Sequence, residues 1–489
     1  MTSSRAVRRS LAAFAWRSRR GRRGPEKGAG LHHYQGLHQC QAGRVRGWPL
    51  VCRGTYPDGM RSAPGRLAAV DEANLVLDHV GQVNVFLIAG MLSPGGFVGD
   101  DGRADLGVLR MVLHERIAEL PPLCRVPVAV GRRHRWVEMS PDLEQHVRLM
   151  DPVDGLEGLE HRCGELMSIP LPLDRPPWEL LIVPGAAGPR PGFVLRIHHV
   201  IADGMTAATI VQQLFERDEA DAAPAAPPAA PVTSPRSPAD VAGRHAIEPL
   251  RILGKIGFGL HRMLTTLVDR GIGPTLLLGE RSAQRGVAFV DADLAAIEAH
   301  VRPFGATVND ALLASAAAGY AAALSAAGEQ LPAELPISVP VALRHVGTSS
   351  NQVGIMLVQL PLADAEADER VRLIAARTRE EKVRAREQGT LEFMRGPVGA
   401  RFMDRIGHRQ HVVASGITNV PGPAGRLRLA GAPVDALWPV SLLPANVRLG
   451  VAAVSYAGRL RCGIHFDEAN VPGAVFAHAM GEELTRLAG

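Results

Sequence analysis

His198-His199-Val200-Ile201-Ala202-Asp203-Gly204 follows the apolar run Phe193-Val194-Leu195-Arg196-Ile197 and precedes Met205 to Phe215, where apolar residues recur at helical spacing. The run reads as a strand and Asp203-Gly204 as the turn into a helix. Two adjacent imidazoles therefore stand where a strand ends, a common place for groups that do chemistry. A neutral imidazole there can take a proton from a hydroxyl near neutral pH. A buried histidine pair satisfied by backbone carbonyls is the competing account of one histidine alone. The pair, the following Asp-Gly and the strand-to-helix setting together favour catalysis.

Outward from this stretch, residues 60–216 alternate strand-like and helix-like segments, an α/β pattern. Val83 to Met91 reads as a strand, Leu106 to Leu120 as a helix and Arg135 to Met139 as a strand. Leu156 to Met167 reads as a helix and Trp178 to Val183 as a strand, with a hairpin tip at Pro184 to Pro191. Ala220 to Pro238 is dominated by Ala, Pro, Asp and Ser, so residues 217–246 form a linker and residues 247–489 a second lobe. There, Ile247 to Val268 carries an amphipathic helical pattern. Leu294 to Val301 and the alanine-rich Ala311 to Leu324 also read as helices, the second opened by Thr307-Val308-Asn309-Asp310. Strands are expected at Ile337 to Leu343, Val353 to Leu360, Val412 to Thr418, Ala436 to Val440, Leu449 to Tyr456 and Leu460 to His465. Asp368 to Arg386 reads as a solvated, charged helix and Ala474 to Leu487 as a closing one.

The charge is unevenly placed. Residues 1–59 carry eleven arginines and Lys27 against Glu26 and Asp58, a net +10, while the whole chain carries +5, so residues 60–489 carry −5. The basic pI belongs to this leader, and the body is not expected to bind nucleic acid. The leader lacks periodicity, and its best apolar stretch, Leu11 to Trp16, is too short for a signal-peptide core. Three lysines stand against 51 arginines, the mark of GC-rich codons, in which upstream sequence reads through without stops. Residues 1–59 are therefore expected to be a misassigned start, with translation from Met60. The rival expectations are a basic arm touching anionic lipid or nucleic acid and an Arg-rich transit peptide. No run approaches the roughly 18 apolar residues of a membrane-spanning helix. Cys40, Cys52, Cys124, Cys163 and Cys462 contain no C-x-x-C pair, so neither a disulfide framework nor a zinc site is readable.

The pattern H-H-x-x-x-D-G resembles the signature of the CoA-dependent acyltransferase superfamily. Further segments, in order, resemble the bacterial wax ester synthase/diacylglycerol acyltransferase family. They are Leu173-Asp174-Arg175-Pro176-Pro177-Trp178-Glu179, Val308-Asn309-Asp310-Ala311-Leu312-Leu313-Ala314, and Val339-Pro340-Val341-Ala342-Leu343-Arg344 with Ser350-Asn351-Gln352-Val353-Gly354. Thr418-Asn419-Val420-Pro421-Gly422-Pro423, Ser455-Tyr456-Ala457-Gly458 and Glu482-Glu483-Leu484 complete the set. The likeness covers about residues 66–489. It departs at Ala69-Val70-Asp71-Glu72, at Ser350-Asn351 and at Leu276-Leu277-Leu278-Gly279, which bears on substrate detail more than on the reaction.

The resemblance implies two chloramphenicol-acetyltransferase-like lobes, joined by a linker, with an active-site tunnel between them. It implies acyl transfer from acyl-CoA to the hydroxyl of diacylglycerol or a long-chain alcohol. His199 is then the general base, His198 a positioning residue and Asp203 the residue that orders the turn. Gly204 lets the chain pass close to the pocket, and Asn309 and Asp310 face substrate or cap their helix. No metal or cofactor is implied beyond acyl-CoA as co-substrate. The partners implied are acyl-CoA, a hydroxyl-bearing lipid and the surface of a membrane or lipid inclusion, with a cytoplasmic, peripheral location. Two alternatives share the motif: a carrier-protein-dependent, condensation-like acyltransferase and a non-catalytic lipid-binding paralogue.

Overall fold

The computed structural model describes residues 60–61, 65–79, 81–131, 133–202, 204–217, 272–342, 353–362, 366–388, 397–423 and 425–489. The leader, linker residues 218–246 and the amphipathic stretch Ile247 to Val268 lie outside these residues, while Arg217, expected to open the linker, is paired with Leu427 in the first sheet. The first half holds β1 (Met60–Arg61), α1 (Ala69–Val76), β2 (Val85–Leu92), α2 (Leu106–Ile117), β3 (Arg125–Val130) and β4 (Arg133–Met139). It continues with α3 (Leu143–His146), β5 (Val147–Leu149), α4 (Gly155–Met167), β6 (Trp178–Ala187), β7 (Arg190–His198), α5 (Gly204–Leu214) and β8 (Glu216–Arg217). The second half runs through β9 (Arg285–Asp293), α6 (Leu294–Val301), α7 (Val308–Ala326), β10 (Glu334–Ala342), β11 (Val353–Pro361), α8 (Ala367–Gln388) and α9 (Pro397–Gly407). It closes with β12 (Ser415–Val420), β13 (Leu427–Leu429), β14 (Ala432–Val440), β15 (Leu449–Tyr456), β16 (Arg459–Asp467) and α10 (Gly473–Ala488).

A seven-stranded sheet runs β5-β6-β7-β2-β14-β13-β8 and a six-stranded sheet β11-β10-β12-β15-β16-β9. Each sheet mixes parallel and antiparallel pairs. β5 is parallel to β6, and β12 runs parallel to both β10 and β15. The halves of the chain are not the halves of the fold. β13 and β14 come from the second half by sequence, yet β14 pairs with β2 through Val434↔Leu92 to Val440↔Leu87. The first sheet is therefore finished by residues 427–440, which simple division at the linker assigns to the other lobe. A second tie is α4, which packs on β9, and at Gly164 a Cβ would lie 2.2 Å from the carbonyl oxygen of Arg285. Only glycine admits so close an approach.

β2 is buried on both faces. Phe86 and Leu92 join one apolar cluster, and Leu87, Ala89 and Met91 join another with Leu181, Val183 and Val194. This explains its unbroken apolar sequence, since alternation appears only when one face meets water. The alanine-rich α7 is buried nearly all round, from Ala311 through Tyr320, against the six-stranded sheet, α8 and α10. Small side chains let those elements approach it closely. Its start is a capping box: the Thr307 hydroxyl accepts the Asp310 N–H, and the Asp310 carboxylate accepts the Thr307 N–H.

Several elements were not legible in advance. α1, β3, β9 and α9 give short or charge-interrupted patterns, and each takes its stability from what it packs on. The α2 helix stops at Ile117, three residues before its periodicity does. Pro121-Pro122 starts a 3-10 turn that draws the chain away. α8 does carry charges to solvent, but Val371, Ile374, Ala375 and Thr378 are buried against the second lobe.

Candidate functional site

Antiparallel pairing of β7 with β2 sets Val85 opposite His198 and fixes where the strand ends. The His198 backbone N–H donates to Pro177 (3.0 Å), that of His199 to Asn84 (3.0 Å), and Ile201 donates back to His198 (2.9 Å). On a strand, alternate residues share a face, so Arg196 and His198 lie on the side of Val194. Arg196 ion-pairs with Glu179 and donates to the carbonyls of Leu166 and Ile169, anchoring this end of the strand to α4.

The two histidines have different surroundings. His198 is fully buried, and its Nδ1 accepts the N–H of Val200 at 2.9 Å. Its neutral ring therefore carries its proton on Nε2, which lies 3.2 Å from Asp78 Oδ2. That contact is within ion-pair distance but off the line of a good hydrogen bond. Nδ1 is thus committed, while Nε2 faces Asp78 without a hydrogen bond. His199 lies one residue beyond the strand and is half-buried, with its ring edge against Phe86 at 4.9 Å between centroids. Its carbonyl accepts from Asn74 Nδ2 at 3.0 Å.

Asn74, Asp78 and Asn84 were not singled out from the sequence. Asp78 Oδ1 accepts the N–H of Asn84 (2.9 Å), and Asn84 Nδ2 donates to the Asn74 carbonyl (2.7 Å). These three side chains join α1 and the start of β2 into a frame around the histidine turn. The only signal in the sequence was the density of Asn and Asp in an otherwise apolar stretch. Asp203 lies outside the described residues. Gly204 is the first residue of α5, which packs against β12.

The C-terminal end of β12 leads to a cavity of about 680 Å³. Asn309, Thr307 and Val308 line it from the start of α7, Glu298 from α6, Arg302 from just after it, and Lys382 from α8. Asn419, Pro421 and Ser455 line it from β12 and β15, with Val339, Met356 and Leu460 as apolar wall. Neither His198 nor His199 lines it. Asn309 is thus placed on a cavity, whereas Asp310 is 2 % exposed, with its oxygens taken by Thr307 and by Thr378 Oγ1 at 2.6 Å. Asp310 therefore caps its helix and is turned away from the cavity. Thr418 to Pro423 is both turn and wall. A Cβ on Gly422 would lie 1.8 Å from the carbonyl oxygen of Ser455, so this turn seats on β15 only with glycine. Trp178 is a packing residue, 2 % exposed, whose Nε1–H donates to Leu123 at 2.9 Å.

Comparison with known proteins bears on the family and the fold. Residues 67–312 match the wax ester synthase/diacylglycerol acyltransferase catalytic domain, and residues 349–488 match the corresponding C-terminal domain. A Mycobacterium tuberculosis (strain H37Rv) protein carrying the name diacylglycerol O-acyltransferase is 28 % identical over 434 residues, covering 80 % of this chain and 90 % of that protein. Among solved structures, the wax ester synthase/diacylglycerol acyltransferase of Marinobacter aquaeolei VT8 superposes with a TM-score of 0.64 at 20 % identity, covering 86 % of this chain and 98 % of that one. The first condensation domain of the CDA synthetase shares the fold at a TM-score of 0.53 and 18 % identity, over 87 % of this chain and 97 % of that one. The chain belongs to the wax ester synthase/diacylglycerol acyltransferase family and is an O-acyltransferase.

Proposed function

We propose that the protein transfers a fatty acyl group from acyl-CoA to the hydroxyl of a diacylglycerol, a long-chain alcohol or both, with His199 as general base. The observation that carries this is placement: His199 stands half-buried one residue past the end of β7, where the strand opens into the turn before α5, while His198 is fully buried with its Nδ1 accepting the Val200 N–H. In this reading His199 takes the hydroxyl proton as the oxygen attacks the thioester carbonyl. The tetrahedral intermediate then collapses, the C–S bond breaks, and the imidazolium returns the proton to the departing CoA thiolate. No covalent enzyme intermediate and no cofactor beyond the co-substrate is required. His198 and Asp203 hold the turn, and the family resemblance makes Asn309 the candidate donor to the oxyanion, although the cavity it lines is not lined by His199. The cavity beside α7 suits the acyl donor: it has an apolar wall, and Arg302 and Lys382 are of the type that meets phosphate.

The acceptor being a lipid, the same reading puts the protein at the surface of a membrane or lipid inclusion on its cytoplasmic side. No described helix is long and apolar enough to cross a membrane, and residues 60–489 are net negative, so the contact rests on apolar surface.

The test is CoA release from palmitoyl-CoA by the purified protein, with diacylglycerol or hexadecanol as acceptor, beside His199→Ala. Acceptor-dependent release that falls about 10²–10⁴-fold in the variant is expected. Equal release by both proteins overturns the role of His199. Release only from a carrier-bound acyl group overturns acyl-CoA as donor.

A further inference from the structure

His79, Asp404 and His408 meet at the surface where α9 packs against α1. They are the one group of three histidine, cysteine or carboxylate side chains, among the described residues, placed as a metal site would need. One ring nitrogen or carboxylate oxygen from each lies within 4.8 Å of the other two. His79 Nε2 is 3.3 Å from Asp404 Oδ1, and His408 Nδ1 is 3.5 Å from the same oxygen. The two rings have centroids 5.6 Å apart. Zinc–ligand bonds of roughly 2.0–2.2 Å in a tetrahedron put donor atoms roughly 3.3–3.5 Å apart. The His79–Asp404 spacing is therefore already in range.

We propose that His79, Asp404 and His408 form a divalent transition-metal site, zinc being the ion that best suits two imidazoles and one carboxylate with an open side toward solvent. The side chains are 35 %, 22 % and 40 % exposed, so an ion reaches them without unfolding. His408 Nδ1 donates to the Asp404 carbonyl at 2.7 Å, which orients the ring and leaves the lone pair on Nε2. Against binding stands the N–H of Gly81, which points at His79 Nδ1 (3.2 Å) and must turn away when Nε2 takes a metal. Arg281 holds the Gly81 carbonyl at 2.7 Å and sets a positive charge near Asp404, which limits affinity. Occupancy has a structural consequence. His79 follows Asp78, the residue against His198, so an ion here ties the frame of the histidine turn to α9 across 325 residues of sequence. The proposal does not depend on the acyl-transfer reading.

The experiment is titration of the chelator-stripped full chain with Zn²⁺ against a chromophoric chelator, with Co²⁺ as the spectroscopic stand-in and Tm recorded throughout. The leader has histidines and cysteines of its own, so the readout is the difference between wild type and variants. His79→Ala and His408→Ala are each expected to lose one equivalent, or to weaken it more than about tenfold, and to lose the metal-induced rise in Tm. His161→Ala, on the exposed side of α4, keeps both. His408→Gln serves if the alanine variant folds poorly in chelator. Unchanged stoichiometry, affinity and Tm response in the His79 and His408 variants overturn the site.

Discussion

Asp78→Asn tests the frame around the histidine turn without touching either histidine. In the wild type one carboxylate oxygen accepts the Asn84 N–H at 2.9 Å and the other faces His198 Nε2 at 3.2 Å. An amide has one acceptor oxygen for these two donors. If it keeps Asn84, its NH₂ meets the Nε2 proton of a fully buried ring. The ring must then change tautomer, which sets its Nδ1–H against the N–H of Val200, now 2.9 Å away and donating. Either way a buried donor loses its partner, at a cost of about 1–3 kcal/mol. The original contact was already off line, so the lower half of that range applies. If the displacement is felt at His199, one residue on, about 1.4 kcal/mol is about tenfold in kcat. Steady-state kinetics with palmitoyl-CoA and hexadecanol should show kcat down about tenfold and the KM for palmitoyl-CoA little changed, in a folded protein. This is a smaller loss than removal of a general base. A variant with wild-type kcat and wild-type Tm refutes the idea that Asp78 positions the turn.

Two further outcomes are expected. Burial, helped by the charges of Arg285 and Arg281 and opposed by the Ser441 carbonyl and Asp467, pushes the pKa of His465 down to about 3 from 6.5. Between those values the unfolded chain binds more protons, so stability is full above about pH 6.5 and falls as pH drops toward 3. At pH 5 this group alone should cost about 2 kcal/mol relative to neutral pH. Urea unfolding of the wild type and His465→Gln at both pH values should differ by that amount, and identical pH slopes count against it. For the lipid-surface location, isolated membranes or lipid inclusions washed in high salt should retain the protein. Complete release by salt counts against contact through apolar surface.

The strand-turn-helix at residues 193–214 was legible because local periodicity records burial: Phe193, Leu195 and Ile197 face one apolar cluster, and α5 repeats at helical spacing. The capping box at Thr307 to Asp310 was also legible, being a four-residue device. Asn309 and Asp310 look alike in sequence, however, and only packing showed one on a cavity and the other spent on Thr307 and Thr378. α1 escaped notice, being eight residues long with Asp71 and Glu72 in its first turn, whereas α9, at eleven residues, was long enough to show a period and was missed.

By itself, then, the sequence determined the mixed α/β character, the place of the paired histidines and the family. The first two rest on residues close together in the chain, and the family on short local segments that recur in a fixed order along it. That His198 is the fully buried one, set beside Asp78, was decided by tertiary structure. The order β6-β7-β2-β14 brings Asn74, Asp78 and Asn84 to a turn more than a hundred residues away. It also brings residues 432–440 across into the first sheet. Strand order depends on which apolar faces bury each other best, a property of the assembled sheets that no local spacing encodes.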